Sequence, residues 1–390
     1  MRIIRSREKS GGEFMKYTKG KLVAVLFVVF FSLCAANSVS AIGVTSTITV
    51  RQSPEGITYD AAKGEMFVAN YGNNTVSVIA TNNNTVVATI PLRASPFGIV
   101  YDPGVGKIYV SCSDGKVYVI DDDLNQVIAN VTVGSYPFWV AYDSGKDEIF
   151  VSNTGSGTVS VIADNNNTVV ATVVLGIGVQ PKALCYDSGK GEIFVPCWEG
   201  GGPIKVISDN NNTVVATILL PETVSIREPW AAGYDPDKNE IFVSNADNTL
   251  YFISDTNNTI VASLQTPSAT GFVYDSGKDL MFSANQYNNS VSVISDHTVI
   301  ETIMVGLQPR AVAYDPVMGK IFVTNSYVNT VSVISDSASV PNTTPGNNNN
   351  NNGGQQNNNG NASGNKSTPG FELLIVIGAA AIVLFMKRKR

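Results

Sequence analysis

An all-β fold, a seven-bladed β-propeller with four-stranded blades, is what the sequence predicts, and three observations predict it. A Tyr-Asp pair recurs at Tyr59, Tyr101, Tyr142, Tyr186, Tyr234, Tyr274 and Tyr314, with spacings of 42, 41, 44, 48, 40 and 40 residues, and units of about 40–50 residues are the period of propeller blades. Within each unit, four short apolar or β-branched runs are separated by turn residues, as four strands require. No amphipathic helical pattern of useful length occurs between residues 42 and 336.

Each strand follows from its own residues. The first ends at Tyr-Asp; a turn such as Asp143-Ser144-Gly145-Lys146 leads to a second strand, Ile149-Phe150-Val151 in the same unit. A polar loop precedes the third strand, Thr158 to Ile162, and an Asn-rich turn precedes the fourth, Thr168 to Val174. In the first strand Ile57, Ile99, Val140, Leu184, Phe272 and Val312 are apolar, and the positions that follow them, such as Thr58, Val100, Ala141 and Cys185, are apolar or small. That pattern predicts a strand buried on both faces. The aspartates Asp60, Asp102, Asp143, Asp187, Asp235, Asp275 and Asp315 each precede a short turn, where a carboxylate accepts hydrogen bonds from turn amides. The seventh unit stops at Asp336 after three strands, and an orphan strand, Thr45 to Val50, precedes the first unit. The N-terminal strand is therefore expected to complete the last blade and close the ring.

The chain of 390 residues, 44% hydrophobic and 15% charged, can bury a large core. Its net charge of −6 conceals a split, because residues 1–41 carry seven Lys/Arg against two acids and residues 371–390 carry four against one. Residues 42–370 thus hold −14, which argues against nucleic acid as a partner. At the N-terminus, Lys16, Lys19 and Lys21 precede an apolar run, Leu22 to Phe31, and small residues ending Val39-Ser40-Ala41. Residues 1–41 read as a secretory signal cut before Ile42, with Met15 as a second possible start; a permanent anchor is the alternative. Residues 337–368 form an Asn-, Gly- and Gln-rich tract with the composition of a flexible stalk. Residues 369–390 hold Pro369-Gly370-Phe371, an apolar stretch from Leu373 to Met386 and four basic residues. That stretch of 14 residues spans ~21 Å as a helix, short of a ~30 Å hydrocarbon core. The basic end places the tail in the cytoplasm and the domain outside. This tripartite tail resembles the archaeal PGF-CTERM sorting signal, which implies removal by an archaeosortase and a lipid anchor; a plain C-terminal membrane helix is the alternative.

The repeats carry a second resemblance. Ile321-Phe322-Val323-Thr324-Asn325 followed by Thr330-Val331-Ser332-Val333-Ile334, with the versions Met66 to Asn70, Ile108 to Cys112 and Ile241 to Asn245, resembles the YVTN β-propeller repeat of archaeal surface-layer proteins. The resemblance covers residues 42–336 and implies the propeller fold and a place at the cell surface. It says little of function, since propellers host binding modules, lyases, lactonases and scaffolds.

The candidate binding face is the one shared by the fourth-to-first and second-to-third connections, around the channel mouth. Just after the loop proline, or at its equivalent, stand Glu55, Phe97, Phe138 with Trp139, Lys182, Trp230, Thr270 and Arg310. The second-to-third loops add Tyr71, Trp198, Glu199, Tyr287 and Tyr327. Aromatic rings with a few charges suit an extracellular protein or glycan, where flat rings supply area and charges supply register; packing of the channel mouth is the plainer reading. A set such as Glu55, Lys182 and Arg310 is the one candidate for proton abstraction and for a lyase or lactonase. Otherwise the sequence is poor in catalytic groups: its single histidine, His297, falls in a turn on the opposite face, and no serine has a histidine to serve it. The expectation is a non-enzymatic surface protein for binding, adhesion or envelope organisation, with envelope components and the membrane as further partners and no metal or cofactor. Asp121-Asp122-Asp123 is an acidic cluster short of a calcium site. Cys112 and Cys197 replace the repeat asparagine in units too far apart to bridge, and counting back from Asp187 and Glu192 puts Cys185 opposite Phe194. Sequons for N-glycosylation begin at Asn73, Asn83, Asn130, Asn166, Asn211, Asn257, Asn288, Asn342, Asn361 and Asn365. Asn83, Asn166, Asn211 and Asn257 occupy equivalent turns on the face opposite the mouth.

Overall fold

The computed structural model describes residues 42–267 and 269–336. The signal of 1–41, the stalk of 337–368, the sorting segment of 369–390 with Pro369, Gly370 and Phe371, and the sequons at Asn342, Asn361 and Asn365 lie outside the described residues. Among the described residues no helix is long and apolar enough to cross a membrane.

Seven antiparallel sheets follow one another as the blades of a propeller. Blade 3 is representative: strands Pro137–Asp143, Glu148–Asn153, Thr158–Ala163 and Thr168–Val174 pair in that order. The first strands of successive blades touch one another all the way round, including Pro309–Asp315 of blade 7 against Pro54–Asp60 of blade 1, so they are innermost and line the channel. Burial on both faces, expected for the first strand, belongs instead to the second and third strands. Glu148–Asn153 and Thr158–Ala163 are almost wholly buried, whereas Pro137–Asp143 has half-buried positions because one side of it borders the channel. Each gap between adjacent blades holds its own apolar cluster, such as Phe67, Val76 and Val78 against Ile99, Ile108 and Val110. The core is therefore a ring of seven wedges.

The ring closes as the sequence predicts. Gly43–Thr49 pairs with Thr330–Ser335, with Ile48 opposite Val331, and forms the outer strand of blade 7. Ile48 is buried in a cluster with Val331, Val333 and Phe322.

Hydroxyls and small residues join the blades near the axis. Most first strands carry a bulge after the opening proline, which leaves an amide off the ladder. A second-strand hydroxyl takes it up: the Ala311 amide donates to Thr324 Oγ1 at 3.1 Å, and that hydroxyl donates to the Glu55 carbonyl of the next blade at 2.7 Å. Ser111 does the same between Gly98 and the Phe138 carbonyl. The repeat asparagine is also architectural, since Asn325 donates to Thr330 and Ser332, and Asn153 to Thr158 and Ser160. First strands come so close that a Cβ at Gly56 would lie 2.6 Å from the Phe97 carbonyl oxygen, and one at Gly98 2.7 Å from the Trp139 Cα. The equivalent position is Ala183, Ala231, Gly271 and Ala311 in blades 4 to 7. Trp139 is the exception; its indole crosses the channel from blade 3 and packs against the cluster of blades 7 and 1 that contains Ile57, Ala311 and Ala313.

At the other end of the first strands the Tyr-Asp pairs form a second ring. Each aspartate accepts from its own turn, as Asp60 Oδ1 does from Ala62 and Lys63 amides and Asp143 Oδ1 from those of Gly145 and Lys146. Most tyrosine phenols are set against the pair carboxylate of the preceding blade: Tyr101 against Asp60, Tyr142 against Asp102, Tyr186 against Asp143, Tyr234 against Asp187 and Tyr314 against Asp275, while Tyr274 lies near Asp235 but donates to Asp237 and Asp279. Tyr59 against Asp315 closes the circle. Burial first, then these carboxylates, push the phenols well above their ordinary range, so the tyrosines stay protonated donors. Burial likewise lifts the Asp102 carboxyl to about 6, with Asp164 adding to it and the Gly104 amide opposing it, and raises Asp187 and Asp235.

Two expectations follow. Ile48→Ala should destabilise the domain by about 3 kcal/mol in denaturant unfolding, and loss of residues 42–51 should expose the Thr330–Ser335 edge and cause early melting with aggregation. A carboxyl whose folded pKa is raised adds stability that is complete below its unfolded value, about 4, and is lost as pH rises through the folded value. The melting temperature should therefore climb as pH falls from 7 towards 4, with the steepest change between the two values, at about 5. Asp102→Asn, which keeps the acceptor for Gly104, should flatten that part of the profile in calorimetry, by on the order of 2 °C for each kcal/mol involved.

Candidate binding site at the channel mouth

Two sets of loops meet on one face. The Tyr71 amide donates to the Ser53 carbonyl, Thr154 to Tyr136, Ala246 to Glu228 and Ser326 to Gln308, so second-to-third loops are tied to the connections entering the first strands. This places the sequence-predicted residues around one mouth, in three groups.

The first is an aromatic arc. Ring centroids run from Tyr71 to Phe97 at 4.8 Å, Phe97 to Phe138 at 5.6 Å, Phe138 to Trp230 at 5.7 Å and Trp230 to Trp198 at 5.1 Å. Five rings from five blades form one continuous path, and Trp139 joins it at 6.2 Å from Phe138. Tyr136 was missed by the sequence reading. It lies 5.6 Å from Phe97, at φ 54° just before Pro137; its position one residue ahead of the loop proline was the available signal. Tyr287 and Tyr327 are 74% and 69% exposed and stand away from the arc.

The second group is Lys182. Its ammonium lies 4.7 Å from the Trp198 ring centroid, 5.1 Å from Trp230 and 5.5 Å from Phe138. The residue is 6% exposed, and among the described residues no carboxylate lies within 4 Å of its ammonium. Burial pushes its pKa down, against the pull of the Glu199 charge, while the ring faces favour the cation. The backbone explains how it gets there. Pro196 stands where four of the other second strands have Ser or Thr and two have Ala69 and Ala284, and alone among them it has no backbone amide to offer the neighbouring strands. The first strand of blade 4 therefore splits into Gln180–Pro181 and Cys185–Asp187. Between them Ala183 leaves its own sheet and pairs in parallel with Ala231 of blade 5 through Ala183 N–H to Trp230 O and Ala232 N–H to Ala183 O.

The third group joins blades 1, 6 and 7. Arg310 Nε lies 3.5 Å from Glu55 Oε2, Arg310 Nη1 donates to Gln286 Oε1 at 3.0 Å, and Ser326 donates to Glu55 Oε1 at 3.1 Å. Burial raises the Glu55 carboxyl, while Arg310 and Ser326 counter it. Thr270 donates its hydroxyl to the Arg310 carbonyl at 2.8 Å and is an inter-blade tie. A cavity of about 360 Å³ lies between the second and third groups, walled by Trp198, Trp230, Glu228, Gln286, Tyr287 and Arg310. A second, of about 730 Å³, opens beside Lys182, Glu199, Tyr136 and Gln180. Glu55 and Arg310 are thus brought together; Lys182 is held apart from them behind the two tryptophans.

The remaining sequence-predicted residues fall elsewhere. His297 does lie in the outer turn of blade 6, and its imidazole reaches Glu240 of blade 5 at 2.7 Å and stacks on Phe252 at 4.2 Å. Asp122 and Asp123 pair with Lys63, at 3.5 and 2.9 Å, and Asp121 accepts from the Leu124 amide. Cys185 faces Phe194, and Cys112, Cys185 and Cys197 are free thiols. Asn73 and Asn288 sit in second-to-third loops at the mouth, whereas Asn83, Asn166, Asn211 and Asn257 lie in outer turns on the opposite face.

No family model matches the chain, and no curated protein matches it. Among solved structures, hydrazine synthase of Kuenenia stuttgartiensis superposes with a TM-score of 0.67 at 16% identity, over 75% of this chain and 98% of that one. At that identity the likeness shows a shared propeller fold.

Replacing the unpaired Lys182 by Met keeps the stem packed between the rings and removes the desolvated charge. Lys182→Met should therefore leave the melting temperature unchanged or raise it, whereas Trp230→Ala should lower stability by about 3 kcal/mol in denaturant unfolding.

Proposed function

We propose that the protein is a non-enzymatic propeller of the cell surface that binds an extracellular glycan or protein through its channel mouth. The observation that carries this reading is the unbroken arc from Tyr71 to Trp198, five rings from five blades on one face. A long path of flat apolar faces beside the Glu55–Arg310 pair suits an extended ligand, with the rings supplying contact area and the charges fixing register. Display outside the cell is supported by the export signal, the Asn-rich stalk and the resemblances to the YVTN repeat and the PGF-CTERM tail. An S-layer or other envelope setting in an archaeal cell belongs to the same proposal.

A second reading, a lyase or lactonase, is favoured by one observation: Glu55 has a carboxyl raised by burial beside a guanidinium. Its partners weigh against that role, because Arg310 and Ser326 already occupy the two carboxylate oxygens.

A glycan array together with a pull-down from envelope extract tests the binding reading. Trp198→Ala and Trp230→Ala should each weaken the ligand found by at least tenfold, or about 1.4 kcal/mol, and Glu55→Gln should weaken it less. Undiminished binding by both tryptophan variants would remove the arc from consideration. Turnover of a bound polymer that Glu55→Gln abolishes would favour the enzyme.

A further inference from the structure

The outer strands of the blades share a feature that neither the fold nor the mouth accounts for. In blades 1 to 6 the pairing of third with fourth strand shifts register once, so one residue of the outer strand bulges: Ile79 faces Val86 and Val78 faces Ala88, which leaves Val87 over. The corresponding bulged residues are Ile128, Val170, Val215, Val261 and Ile300. All six are β-branched and apolar, and they are between 47% and 55% exposed. Each lies on a strand that pairs with its own blade on one side only. Outer strands such as Thr85–Pro91, Thr168–Val174 and Thr213–Leu219 contain no charged residue. An uncharged β-prone edge of this kind is a template for pairing with another chain, which proteins usually block with lysine, proline, an inward charge or a bulge; here a single bulge, with Pro91 at the end of the first such strand, is the only one of these present in blades 1 to 5 among the described residues.

The sequons follow these edges. Asn83, Asn166, Asn211 and Asn257 each stand four residues before the bulged residue of blades 1, 3, 4 and 5, and Asn130 stands two after that of blade 2. Blade 6 has no sequon in its outer hairpin but has Glu301 directly after Ile300. Blade 7, whose outer strand is Gly43–Thr49, has Thr45 at the bulge and neither sequon nor charge there. The attachment sites are also free to react. In the four turn sequons the asparagine Oδ1 accepts from both the amide and the hydroxyl of the threonine two residues on, with hydroxyl distances of 2.7 Å. The side-chain nitrogen is left exposed and unbonded.

We propose that Asn83, Asn130, Asn166, Asn211 and Asn257 carry N-linked glycans, and that these glycans are the gatekeepers that keep the outer edges of blades 1 to 5 from pairing with a second copy of this chain. The inference rests on export of the domain, part of the function proposed above. A hydrated oligosaccharide at the outer turn covers an edge only seven residues long, so charges inside the strand become unnecessary.

The test uses the full chain purified from the cells that make it. Peptide mass mapping should find glycan at all five asparagines. Changing the five to Gln should at least double the weight-average mass in sedimentation or light scattering. Adding Val87→Lys, Ile128→Lys, Val170→Lys, Val215→Lys and Val261→Lys in that background should return it to the single-chain value. Rescue by lysine separates edge pairing from misfolding, which surface charges would not repair. Unmodified peptides, a glycan-free chain that stays single, or failure of the lysines to restore it would each overturn the proposal. Ligand binding at the mouth, measured on the same samples, reports separately on the proposed function.

Discussion

Seven first strands must approach one axis closely, and the backbone-to-backbone contacts they make there decide what the rest of the chain can do. A Cβ at Gly56 or Gly98 would collide with the next blade, so the third residue of most first strands is Gly or Ala. The residue before it escapes that constraint. Glu55, Phe97, Phe138, Lys182, Trp230, Thr270 and Arg310 all occupy that second position and all differ in kind from what a repeat would dictate. The same strands are held at both ends by recurring groups: a serine or threonine hydroxyl at one end in blades 2, 3, 5 and 7, and the Tyr-Asp circle at the other. Variation is therefore channelled to the mouth by the geometry of closure.

The ring departs from its own symmetry at blades 3 and 4, and the site is built on that departure. Trp139 enters a position reserved elsewhere for Gly or Ala and fills the channel. One blade on, Pro196 removes an amide from the second strand; the Lys182 amide still donates to the Pro196 carbonyl, but Ala183 pairs with blade 5. Next to this detour, Lys182 lies against rings supplied by blades 3, 4 and 5. A buried ammonium with three aromatic faces and no carboxylate is costly unless the rings replace part of its hydration. The two substitutions and the cage are best understood as one local solution.

Much of this was legible in the sequence, for identifiable reasons. Blade number, strand order and closure by Thr45 to Val50 could be read because each rests on repetition. The Cys185 register could be counted from Asp187 and Glu192, and the turn role of the aspartates followed from seven identical placements. What could not be read depends on the neighbouring blade. Tyr59 and Asp315 are 256 residues apart in the chain, and nothing local to either announces the other. Burial of the first strand was misjudged because apolar residues there serve the channel as well as the wedge between blades. The right residues were chosen for the mouth, yet the pairing of Glu55 with Arg310 and the caging of Lys182 were not foreseen, since the second depends on a backbone detour caused by one proline.

The sparse charges of the domain now have a place. Lys63 with Asp122 and Asp123, Lys190 with Glu192, Lys238 with Asp235, Asp279 and Asp296, and Lys278 with Asp336 all lie at the turns opposite the mouth. There Lys63, Lys238 and Lys278 link one blade to the next beneath the Tyr-Asp circle, whereas Lys190–Glu192 and Lys238–Asp235 lie within a blade. At the mouth Glu55–Arg310 is the one ion pair among the described residues, and ring contacts run across five blades. One face is thus held mostly by electrostatics that respond to pH and salt, and the other mostly by apolar area, with Glu55, Arg310 and Lys182 among its ionisable groups. Stability can shift with pH and salt while the aromatic arc keeps its shape, because the two depend on different physical forces at opposite ends of the same strands.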